Sequence, residues 1–137
     1  MKRYVLEPGS DAVQSLFQGD TTLATAEIAF AEVVSAFCRR LREGAIATRE
    51  VDRRVGALQT DWAFLEMIPV SLVNEALPVV LKRHPLRAGD AIHLASALRL
   101  REEGALEVTV VSADARLCAA AQAEGLPVHP GLALGGR

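Results

Sequence analysis

The chain has 137 residues, half of them hydrophobic, and a formal net charge of −2 at pH 7. That supplies the core of one domain and leaves no room for two, with a body at 1–130 and a loose tail at 131–137. No global basic field advertises a nucleic-acid partner, and no apolar run reaches transmembrane length. The opening MKRYVLEPGS lacks a signal peptide's hydrophobic region, so the expectation is a cytoplasmic protein with no membrane partner. Cys38 and Cys118 lie far apart without metal-type spacing, which fits two reduced core thiols. Lys2 and Lys82 are the only lysines; the other basic residues are arginines, which suit phosphate but also follow from genome composition.

Glu7-Pro8-Gly9-Ser10 reads as a turn into a short helix through Val13, Leu16 and Phe17, stopped by Gly19. Thr21–Thr25 is a β-prone run. A helix from about Ala26 to Glu43 follows, with arginines crowding its last turns and Gly44 closing it. Thr48 is placed to cap the next helix, whose stripe Val51, Val55, Leu58, Trp62, Leu65 keeps a helical period. Met67–Val70 is a short strand. The next helix opens at Ser71 or Asn74, nearer Asn74 if Pro78 belongs to its first turn, and ends at Pro85.

Leu86–Gly104 repeats its apolar residues at helical spacing and is the central helix. Leu106–Val111 is a β-branched strand apolar enough for burial on both faces. Ser112-Ala113-Asp114 then opens a helix that Gly125 stops, and Leu126–His129 is a last strand. Strands alternating with helices predict an α/β fold with a parallel sheet covered on both faces.

In such a sheet, sites form outside the carboxyl ends of the strands. Asp114 directly follows the buried strand. Asp90 sits at a helix start, where its plain reading is an N-terminal cap. Glu32 falls in the apolar half of its helix, where a solvated face would not put it. Buried carboxylates need a partner, and several together need a cation. Hard oxygen ligands suit Mg²⁺ or Mn²⁺, which can orient water and stabilise charge on a phosphate during hydrolysis.

The stretches TLATAEIAFAEVVSAF, LRAGDAIHLASAL and VTVVSADARLCAAAQAEGLPV stand in an order and spacing that resemble the PIN-domain family, and within it the VapC-type toxin ribonucleases. With KRYVLEPGS the resemblance covers nearly the whole chain; D-A-I-H-L-A-S-A is its most specific piece. It implies a three-layer fold with a parallel sheet between helices. It matches Glu32, Asp90 and Asp114 to metal-site acids, and Ser112 to a small hydroxyl residue that helps place water or metal. The implied activity is Mg²⁺-dependent (or Mn²⁺-dependent) RNA cleavage, the implied partner a VapB-type antitoxin, and the implied assembly a homodimer.

One departure from the family's pattern sets a rival expectation. The family opens with a central strand ending in Asp-x-Ser, whereas Met1–Glu7 matches only the end of the first helix that follows it. Without that strand and its aspartate, metal binding would be weak or absent. The rival is then a catalytically degenerate PIN-like module acting through dimerisation or antitoxin or RNA binding. An unrelated phosphate-binding α/β protein is disfavoured by the lack of a Gly-rich phosphate loop.

Several neighbouring residues keep two readings. His93, one turn after Asp90, either packs in the core or orients the acid. Arg87 and Arg116 flank two of the acids and either pair with them or hold phosphate. Glu27 lies nearer the strand end than Glu32 and competes for its role. The Val51–Leu65 stripe and the face near Ile28–Phe37 exceed what a domain lacking a strand would cover, which predicts a dimer interface.

Overall fold

The computed structural model describes residues 15, 16, 18, 19, 22–104 and 107–129. Ser15, Leu16 and Gln18 are helical; the Glu7–Ser10 turn, the rest of that first helix and the 131–137 tail lie outside the described residues. Contacts divide the chain into two compact units, with the boundary between Met67 and Ile68.

The first unit is built on a helical hairpin. Strand β1 (Ala24–Ala26) leads into α1 (Ile28–Arg42), α2 (Thr48–Trp62) follows, and β2 (Glu66–Ile68) spans the boundary. β1 and β2 are neighbours in a two-stranded parallel sheet, and the Glu66 amide donates to the Leu23 carbonyl at 2.9 Å. Two parallel strands need a crossover between them, and the α1–α2 hairpin provides it. Phe37 is fully buried, and Val51 and Leu58 from α2 are buried with it. Phe30 meets Trp62 edge to face, with ring centroids 5.3 Å apart. Of the stripe expected on α2, Val51 and Leu58 are buried and Val55, Trp62 and Leu65 are half-buried.

Arg54 stacks its guanidinium over the Phe37 ring at 5.8 Å while Glu50 accepts from its Nε at 2.9 Å. Glu50 also accepts from Arg53, and hydrogen bonds from Arg53 and then Arg54 pull its carboxyl down to about 2. α2 is entered from Ala47 in an extended conformation, so Thr48 is its first residue rather than its cap.

In the second unit a 3₁₀ turn (Val70–Leu72) precedes α3 (Leu77–Arg83), α4 (Ala88–Glu102) and α5 (Ala115–Ala123). α3 starts later than expected because Pro78 takes a first-turn position, where its missing N–H costs no hydrogen bond. The core joins Val73, Val80, Leu94, Leu117 and Leu126 with the small residues Ala91, Ala95, Ala120 and Ala121. Those alanines let α4 and α5 approach closely. Gly104 and Gly125 follow the two helices with φ of +86° and +81°, the left-handed conformation that ends a helix cheaply only in glycine.

Of the two strands expected at 106–111 and 126–129, residue 106 lies outside the described residues, and the described ones pair through one parallel bridge, Val110 to Val128. The Val110 amide donates to Pro127 at 2.8 Å and the His129 amide to Val110 at 2.9 Å. Pro127 has no N–H to extend the ladder, which limits this pairing. Both cysteines are free thiols. Among the described residues no helix is long and apolar enough to cross a membrane.

Candidate active site

Asp90 stands in the first turn of α4 and Asp114 at the N-cap of α5. At the far end, Nη1 of Arg101, in the last turn of α4, donates to the Glu124 carbonyl at the end of α5 at 2.6 Å. Ala91 and Leu117, near the two helix starts, share the same core.

Asp114 caps α5. Its Oδ1 accepts from the Leu117 amide at 2.9 Å, leaving the other carboxylate oxygen outside that bond on an exposed residue. Its own amide donates to Ser112 Oγ at 3.0 Å. The Ser112 carbonyl in turn accepts from the Cys118 thiol at 3.3 Å. Burial, and then the Asp114 charge, push that thiol's pKa up, so Cys118 stays protonated and unreactive near neutrality. Ser112 fixes the backbone that carries Asp114.

Asp90 is half-buried in the first turn of α4, where the helix dipole favours its negative charge. Arg87, at the cap position of α4, and Arg116, second residue of α5, are both exposed, and neither makes an ion pair among the described residues. Of the two readings open for these arginines, ion pairing with the acids is not found among the described residues.

Glu32 belongs to the first unit, on α1, and is exposed, as is Glu27 at the junction of β1 and α1. The expectation that Glu32 sits among apolar residues is corrected. Five residues before Phe37, it projects about 140° away from that buried side chain at 100° per residue. Among the described residues, no group of three or more His, Cys, Asp or Glu side chains is gathered to hold a metal ion. The donor set itself, carboxylates with a hydroxyl alongside, is chemically suited to a hard divalent cation. A hub that sequence reasoning missed is Glu124. It pairs with Arg83 at 2.9 Å and faces His84 Nε2 at 3.6 Å across 41 and 40 positions of chain, a juxtaposition no local pattern signals.

Two helices that open on acids, Asp90 and Asp114, offer carboxylates at helix N-termini as a candidate site. The PIN domain family matches residues 5–126, and the chain belongs to that family. It is similar to ribonuclease VapC45 of Mycobacterium tuberculosis strain CDC 1551 / Oshkosh and to ribonuclease VapC49 of strain ATCC 25618 / H37Rv. Each is 29% identical over 131 residues, covering 95% of this chain and 89% of the relative.

Proposed function

We propose that this chain is a VapC-type ribonuclease, the toxin of a toxin–antitoxin pair, which hydrolyses RNA with a divalent metal ion, Mg²⁺ or Mn²⁺, in the cytoplasm. The observation that carries the reading is the match of the PIN domain family to residues 5–126, and the positions of Asp90 and Asp114 in the first turn and at the cap of two helices fit it. The similarity to VapC ribonucleases across 95% of the chain supports it. Glu32, Asp90 and Asp114 are the carboxylates assigned to the metal. When bound, such an ion lowers the pKa of water and offsets charge on the scissile phosphate. Asp114 presents an oxygen on a backbone that Ser112 holds in place. Asp90 contributes negative charge that its helix end stabilises. A VapB-type antitoxin is the assigned partner. A homodimer is the assigned assembly, supported by exposed apolar side chains such as Phe64, 78% exposed, and Met67, 49% exposed.

The test is cleavage of a panel of single-stranded and structured RNAs by the purified chain in Mg²⁺, Mn²⁺ or EDTA. Metal-dependent cleavage that Asp90→Asn lowers roughly a thousandfold, the several kcal/mol a metal ligand contributes, is expected. Asp90→Asn should keep the fold, read by circular dichroism. No cleavage of any RNA by the parent chain, with antitoxin binding intact, would replace this reading with a degenerate binding module.

A further inference from the structure

We draw no further inference here: the strongest candidate, the side-chain cluster at the start of α5 in which the Cys118 thiol bonds the Ser112 carbonyl beneath Asp114, belongs to the site already described and rests on hydrogen bonds within it.

Discussion

The two ends of the α4–α5 pair use the same residue types for opposite purposes. At the C-terminal end, Arg83, His84, Arg101 and Glu124 meet across long sequence separations and tie α3, α4 and α5 together. At the N-terminal ends, Arg87 and Arg116 make no ion pair among the described residues. Charge that is internally matched holds a structure; charge left unmatched beside a helix start is available to a ligand.

The largest stability effect should come from the layer that joins the two ends. Leu94 of α4 is 1% exposed, and Leu94→Ala should cost roughly 3 kcal/mol in urea unfolding, by lost burial and a residual cavity. Both ends should loosen together, with RNA cleavage falling as the folded fraction falls. A loss under about 1 kcal/mol would mean that the ends are held independently of this core.

Asp114 sharpens the comparison because it does two jobs. Asp114→Ala removes a helix cap and should cost about 1 kcal/mol of stability along with activity. Asp114→Asn keeps a capping oxygen, so stability should hold within a few tenths of a kcal/mol while metal-dependent cleavage still falls. If the two variants lose activity only in proportion to stability, Asp114 is a cap and no more.

Glu124→Gln tests the scaffold end. The carboxylate is 12% exposed but Arg83 is 61% exposed, so solvent screens the pair and a loss of no more than about 1 kcal/mol is expected. RNA affinity and its salt slope should not move. A change in RNA binding larger than the change in stability would erase the distinction between the ends.

The smallest effect concerns the first unit's hairpin and its pH response. Glu50 is held at about 2 by Arg53 and Arg54, below the ordinary carboxylate value of 4.5. A depressed carboxyl contributes stability above its unfolded pKa and loses it as pH falls through the folded one. The contribution should therefore fade between about pH 4.5 and 2, and Glu50→Gln should remove that portion of the acid response. High salt should blunt the same difference, because the pair is on the surface. Identical acid unfolding of parent and variant would show that the pair adds nothing measurable.

Much of this was legible in the sequence wherever the signal is local. Gly44, Gly104 and Gly125 marked three helix ends because a left-handed stop needs glycine, and all three have positive φ. Asp114 was legible as the start of α5 because a carboxylate after a β-branched run suits a cap. The strands were less legible. The run around Val108–Val111 signals extended chain but not how many partners it finds, and Pro127 limits the ladder to a bridge. Glu32 was misread because apolar neighbours along the chain were taken for apolar neighbours in space; its angle relative to Phe37 gives the exposed placement. Arg87 and Arg116 were visible, but only the fold tells a paired arginine from an unpaired one.

The linkage of Ser112, Asp114 and Cys118 has a consequence for how tightly any ligand can be held. One residue's hydroxyl receives the Asp114 amide while its carbonyl receives the Cys118 thiol, and Asp114 itself grips Leu117. The backbone beneath this carboxylate is therefore immobilised when the chain folds, before any cation or RNA arrives. A flexible acid would surrender conformational entropy at the moment of binding, on the order of 0.5–1.5 kcal/mol for an ordered side chain. Asp114 has already lost most of that freedom, so more of the attraction between its free oxygen and an incoming cation remains as affinity.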